Sequence, residues 1–175
     1  MDPQLSGWAN FYVIVGSSAG ALIGLQFVVI ALVSSTRTQA LSSAVRAFAS
    51  PTIMYFSSVL LTAGLLSIPH HTEASLGIVL LAIGAAGLGY VARVATHMRR
   101  QESYSPDRGD WLWFVFLPAG AYASALVAGV TVWSAPGASL VIAGGSAMLL
   151  LLIGVHNAWD SAVYMIANPP PDRSE

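Results

Sequence analysis

The chain contains no cysteine and no lysine among its 175 residues, and all seven of its basic residues are Arg. The lack of cysteine excludes disulfides, thiol redox relays and thiolate metal ligands. The lack of lysine excludes a retinal Schiff base and other lysine-imine chemistry. Charged residues are also scarce, at 9%, compared with ~25% in soluble domains. With a net charge of −1, nucleic acid is not an expected partner, and no cofactor is predicted.

Hydrophobic sequence is abundant, and it is arranged in five long apolar runs. Each run exceeds the ~18 residues above which a membrane span explains an apolar segment better than a buried soluble helix. The sequence therefore predicts an all-α, multi-pass membrane helix bundle over residues 1–167, followed by a disordered cytoplasmic tail over residues 168–175. The predicted spans are 10–34, 50–69, 75–97, 112–134 and 138–160.

Apart from Arg93, just inside the third run, arginine occurs in alternate connections between the runs and in the C-terminal tail. Short loops rich in Arg stay on the cytoplasmic side. This pattern predicts a cell-membrane protein, of the kind found in a bacterial inner membrane, with its N-terminus outside and its C-terminus in the cytoplasm. Trp and Tyr side chains near the ends of the runs fit interfacial belts. The cytoplasmic arginines are Arg37, Arg46, Arg99, Arg100, Arg108 and Arg173, and the predicted outer aromatic residues include Trp8, Phe11, Tyr12 and Trp133.

Two connections carry local signals. Apolar residues recur at helical spacing in Ser35 to Ala49, which predicts a short amphipathic helix on the cytoplasmic surface, with a solvated connector as the alternative. Ser50 and Pro51 suit the first positions of the second span. Asp110 is placed to cap the fourth span, which we expect to kink near Pro118.

Small residues recur at four-residue spacing, a pattern that lets helix backbones approach closely in lipid. In the first span, Gly16, Gly20 and Gly24 predict either close packing within one molecule or the interface of a homo-oligomer. Similar patterns are Ala121, Ala125 and Gly129 in the fourth span, and Ala82, Ala85, Ala86 and Gly89 in the third.

Polar residues within the spans are costly and are candidates for function. Arg93 and His97 are four residues apart on one helix, as are His156 and Asp160, and Asp160 could pair with Arg93 across helices. The alternative is that residues near helix ends extend to the headgroups and only anchor the helices. The complete candidate cluster is Gln26, Arg93, His97, His156, Asn157 and Asp160.

These observations favour a small, self-associating channel or carrier for an ion or small solute. A non-catalytic scaffold or regulatory protein that binds anionic lipid headgroups or a partner protein remains the alternative. A haem held by His97 and His156 is a minor alternative. In the second connection, His70 and His71 indicate a solvated loop, with a metal or proton site as the less favoured possibility. No catalytic or metal-ligating residues are predicted.

Overall fold

The structure is a computed structural model that describes residues 3–35, 39–69, 71–100 and 108–167, with side chains described in 7–31, 51–69, 71–100 and 108–163. Within these ranges the chain forms only helices. They are α1 Pro3–Ser35, α2 Gln39–Leu66, α3 Glu73–Arg100, α4 Arg108–Trp111, a π-helical segment Leu112–Phe116, α5 Leu117–Thr131 and α6 Pro136–Ala167. The predicted tail lies outside the described residues.

Four helical stretches are long and apolar enough to cross a membrane, which supports a multi-pass membrane protein. They are Gly7–Ala31, Glu73–Arg100, Arg108–Thr131 and Pro136–Val163. A fifth apolar stretch, Pro51–Leu66, is shorter. The helical bundle predicted from composition is thus present, with four stretches of spanning length among the described residues.

The predicted helix boundary at Ser50 and Pro51 is wrong, because α2 continues through Pro51 from Gln39 to Leu66. Proline inside a helix removes one backbone hydrogen bond and typically costs ~3 kcal/mol, which is why the sequence suggested a break. Pro51 and Thr52 are both buried, so tertiary packing holds this part of the helix. Asp110 lies within the first turn of α4, and its role in capping the fourth span stays a prediction.

The helices alternate in direction, but their order in space differs from their order in the chain. α3 packs mainly on α5, α5 on α6, α6 on α2, and α2 on α1. Where α2 packs on α6, Phe56 lies against Gly154. Where α5 packs on α6, the Ala128 carbonyl accepts a hydrogen bond from Ser139. We call the two ends of the bundle the His156 end and the Trp133 end.

The interface between α3 and α5 depends on glycines. A Cβ atom at Gly84 would lie 2.7 Å from Leu126 Cγ, and one at Gly77 would lie 2.7 Å from the Trp133 ring. From the other side, a Cβ at Gly129 would lie 3.0 Å from the Leu81 backbone nitrogen. The small residues predicted to line α3 are on its other side: Ala82, Ala85, Ala86 and Gly89 are all exposed.

The connection between α2 and α3 was predicted to be a solvated loop with His70 and His71. His70 lies outside the described residues, and His71 is hydrogen-bonded to both flanking helices. The Nε2–H of His71 donates to the Leu65 carbonyl over 2.6 Å, and Nδ1 lies 2.9 Å from Ser75 Oγ. Thr72 and Ser75 each accept the other's backbone N–H, at 3.0 and 3.1 Å, which is a capping box at the start of α3. His71 therefore has a structural role at the end of α2.

Candidate functional site

The π-helical segment before Pro118 departs from α-helical geometry for an identifiable reason. Proline has no N–H, so residue 118 cannot bond to the Phe114 carbonyl four residues earlier, and its ring crowds that carbonyl. The Tyr55 hydroxyl of α2 donates to the Phe114 carbonyl over 3.2 Å. Single-turn π segments occur often at functional sites, and this one carries the aromatic residue that contacts α6.

That aromatic residue is Trp113, whose ring stacks on His156 with centroids 3.5 Å apart and planes at 19°. His156 Nε2–H also donates to the Asp160 carboxylate, four residues further along the same helix, over 3.0 Å. The two side chains are 33% and 56% exposed. The result is a hydrogen-bonded pair at the rim of the His156 end, in which His156 is also stacked on the π-helical segment.

Asn157 follows His156 in the chain but has a different environment. It is completely buried, and neither its amide nitrogen nor its amide oxygen has a hydrogen-bond partner among the residues that the structure describes. An unpaired buried amide costs roughly 2–7 kcal/mol, and nearly all buried polar groups in proteins are paired. Asn157 is therefore the polar side chain in the interior that most needs a functional explanation.

A row of hydroxyl groups that was not predicted from the sequence lies on the buried side of α2. Tyr55, Ser58 and Thr62 follow at spacings of three and four residues, which is one face of a helix. Ser58 Oγ lies 2.8 Å from the Tyr122 hydroxyl of α5, and Thr62 donates to the Ser58 carbonyl over 2.7 Å. The helical spacing was visible in the sequence, but hydroxyl residues are common in membrane helices and gave no signal individually.

Two serines of α6 attach that helix to α5. Ser139 donates to the Ala128 carbonyl and Ser146 to the Ala121 carbonyl, each over 2.7 Å. Both serines are buried. These hydroxyls have a sufficient structural role because each satisfies a hydrogen bond between two helices.

A second unpaired polar group lies in the half of the bundle nearer Trp133. Tyr12 is 1% exposed, and its hydroxyl has no partner among the described residues. Tyr12 packs in the core with Ala63, Leu66 and Ala143, and its position at the depth of the outer interface stays a prediction. Trp8 and Phe11 pack over Gly144.

The residues of the predicted polar cluster do not lie together, but on three different helices. Arg93 and His97 are exposed on α3, and Gln26 is half-buried on α1. Among the described residues, α3 and α6 both pack on α5 but are not principal partners of each other. The predicted pairing of Asp160 with Arg93 is wrong, since Asp160 pairs with His156 of its own helix. The same separation gives no support to a haem held by His97 and His156.

The three glycines of the α1 pattern also have different surroundings. A Cβ at Gly16 would lie 2.9 Å from Ala63 Cβ, so this glycine packs α1 on α2. Gly20 and Gly24 would meet no atom within 4 Å among the described residues. Only the first position thus has the close contact within one molecule.

No group of three or more His, Cys, Asp or Glu residues that could hold a metal ion occurs in the part of the chain that the structure describes. The clearest candidate site is therefore the buried amide of Asn157, which follows directly in the chain on the His156–Asp160 pair. Comparison of the chain with protein-family models, curated proteins and solved structures finds no match.

Proposed function

We propose that the protein is a channel or carrier for an ion or small polar solute, with its path in the polar interior between α2, α5 and α6. The observation that carries this proposal is the buried, unpaired amide of Asn157. A protein that used this position only for packing would gain stability from an apolar residue of similar size. An amide that offers both a donor and an acceptor is suited to a solute or water that occupies the site during transport.

The His156–Asp160 pair would act at the cytoplasmic mouth of this path. Both side chains of the pair are partly exposed, so a solute at the mouth could reach them. Stacking on Trp113 links the position of His156 to the π-helical segment. A change in that segment would therefore move the mouth and the path together, as a gate requires.

The proposed topology is five crossings, with the N-terminus outside and the C-terminus in the cytoplasm. Support for the fifth crossing comes from α2, whose shorter apolar stretch packs along both α1 and α6. Gly16 meets Ala63, and Phe56 meets Gly154, so α2 follows its neighbours through the depth of the bundle. Self-association is part of the proposal, with the open face at Gly20 and Gly24 as a candidate contact.

The test is flux into proteoliposomes that contain the purified full chain. The probes are protons with a pH-sensitive dye, potassium with a cation-sensitive dye, and glycerol by light scattering. We expect flux of at least one probe above that of protein-free liposomes, and a loss of tenfold or more in Asn157→Leu. Because Leu removes a buried unpaired amide, the thermal stability of this variant should stay the same or rise.

Asn10→Leu is the matched control, because it makes the same substitution at an exposed position of α1. Its flux should equal that of the wild type. Asp160→Asn keeps the size of the side chain and should reduce flux if the pair controls the mouth. Absence of flux for all three probes, or equal flux in Asn157→Leu and Asn10→Leu, would remove the transport proposal.

A further inference from the structure

α3 has two opposite faces, and only one of them is used within the molecule. The packed face meets α5, whereas the other face is exposed along the length of the helix. The packed face comprises Leu76, Gly77, Leu80, Gly84, Gly87 and Val91. The exposed face comprises Ala82, Ala85, Ala86 and Gly89 in its middle, and Arg93, His97 and Arg100 toward its C-terminal end.

The middle of this exposed face is unlike the exposed faces of the other long helices. α1 exposes Val13, Ile14 and Phe27, and α6 exposes Val141, Leu152 and Val155. Large side chains of this kind are usual where a helix faces lipid chains. α3 exposes Ile78 toward its N-terminal end. After it, the middle of the face has three alanines and a glycine, which leave a smooth shallow surface where another long apolar group can lie against the backbone.

The basic end of the face lies at headgroup depth. At ~1.5 Å per residue, the 28 residues of α3 extend for about 42 Å, compared with ~30 Å for the hydrocarbon core. If Glu73 lies near one interface, the last two turns reach beyond the hydrocarbon at the other. Arg93, His97 and Arg100 follow at spacings of four and three residues, so their side chains share one side of those turns.

No acidic residue of the described chain neutralises this group. The ion pair among the described residues joins His156 to Asp160 on α6, and Arg93 and Arg100 are exposed. Arg99 is directed elsewhere, because its guanidinium lies over the Trp111 ring, 5.6 Å from the centroid. Two guanidinium groups at headgroup depth, next to a smooth apolar surface, are therefore left facing the lipid.

We propose that this face of α3 binds an anionic phospholipid. The phosphate and the anionic headgroup lie on Arg93 and Arg100, because a guanidinium bonds phosphate oxygens with two N–H groups at once. One acyl chain lies along Ala86 and Gly89. A second copy of the chain is a poorer occupant of this face, since symmetric pairing of two α3 helices would bring their basic ends together. This lipid site is independent of the transport proposal.

The experiment measures lipid retention by native mass spectrometry of the full chain in neutral detergent. Dioleoyl phosphatidylglycerol is compared with dioleoyl phosphatidylcholine, which has the same chains and no net charge. We expect preferential retention of phosphatidylglycerol by the wild type. Loss of the charge-assisted hydrogen bonds from Arg93 to the phosphate, at ~1.5 kcal/mol, should weaken that binding by about tenfold in Arg93→Gln. Arg108→Gln is the control, because it makes the same charge change at an exposed position of α4.

A second pair of variants tests the apolar part of the surface. Ala86→Leu should reduce retention of phosphatidylglycerol, whereas Ala123→Leu, on an exposed position of α5, should not. Equal retention of the two lipids by the wild type would overturn the proposal, as would equal losses in Arg93→Gln and Arg108→Gln. A change of oligomeric state in Ala86→Leu without a change in lipid retention would show that the face binds another helix instead. Flux measurements do not enter this test, so the two proposals can fail separately.

Discussion

Gly87 is the position at which the packing of α3 on α5 can be tested most sharply. A Cβ atom there would overlap the ring of Tyr122 at its Cγ, Cδ1 and Cε1 atoms. Tyr122 is 1% exposed and its hydroxyl lies 2.8 Å from Ser58 Oγ. The ring therefore has little free space, and Gly87→Ala would force either α3 or Tyr122 to move.

The expected cost has two parts. Forcing one extra carbon into a packed core typically costs 1–3 kcal/mol. Displacing the Tyr122 hydroxyl from Ser58 adds about 1 kcal/mol for the lost hydrogen bond. Together these predict that Gly87→Ala lowers the free energy of unfolding by about 2–4 kcal/mol. Gly89→Ala is the control two residues away, where a Cβ would meet no described atom within 4 Å, and it should be neutral or slightly stabilising.

The assay is reversible unfolding of the full chain by increasing the mole fraction of dodecyl sulfate in mixed micelles, followed by circular dichroism. In a Tyr122→Ala background the ring is absent, so adding Gly87→Ala should cost almost nothing, and the two changes should not be additive. Equal stabilities of Gly87→Ala and Gly89→Ala would refute the predicted ring contact. An additive double variant would show that the cost of Gly87→Ala does not come from Tyr122.

Two further predictions concern the π-helical segment and the topology. Tyr55→Phe should lower the free energy of unfolding by about 1 kcal/mol. In a Pro118→Ala background the loss should be smaller, because residue 118 then has an N–H that can reach the Phe114 carbonyl. Equal losses in both backgrounds would contradict this prediction. Because the chain has no cysteine, Arg108→Cys and Ser134→Cys each give a single labelling site. In right-side-out vesicles an impermeant maleimide should label only position 134, and the reverse result would invert the proposed orientation.

The long apolar helices could be predicted because hydrophobic length depends on the segment alone. The boundary of α2 could not, because a proline after a serine is a good local start signal. Only the burial of Pro51 and Thr52 against the rest of the bundle shows why the helix continues. At this position the local sequence favours the start of a helix, but tertiary packing keeps α2 continuous.

The packed face of α3 was harder to predict because both of its faces contain small residues. The distinction lies between glycine and alanine: Gly77, Gly84 and Gly87 are in contact with α5, whereas Ala82 and Ala86 are exposed. Glycine is required where even a Cβ atom would overlap a neighbour. A pattern that treats Ala and Gly as equivalent cannot show this.

The candidate site was partly predictable. The four-residue spacing put His156 and Asp160 on one face of a helix, and the structure shows that they are hydrogen-bonded to each other. Pairing between helices depends on which helices are neighbours, and the sequence alone did not specify that α5 packs on both α3 and α6. For the same reason, neither the stacking of Trp113 on His156 nor the role of the Tyr55 hydroxyl could be predicted.

The buried polar groups of the bundle fall into two classes, and the difference bears on function. Ser139 and Ser146 donate to carbonyls of α5, so their polarity is explained by holding helices together. Asn157 makes no such bond within the described residues, although it is equally buried. Since hydrocarbon offers no hydrogen bonds, such an unpaired amide lowers stability unless a ligand or water pairs with it. An increase in stability on Asn157→Leu with an unchanged flux would therefore show that the amide is only a packing defect, whereas an increase in stability with a loss of flux would assign it to the transport path.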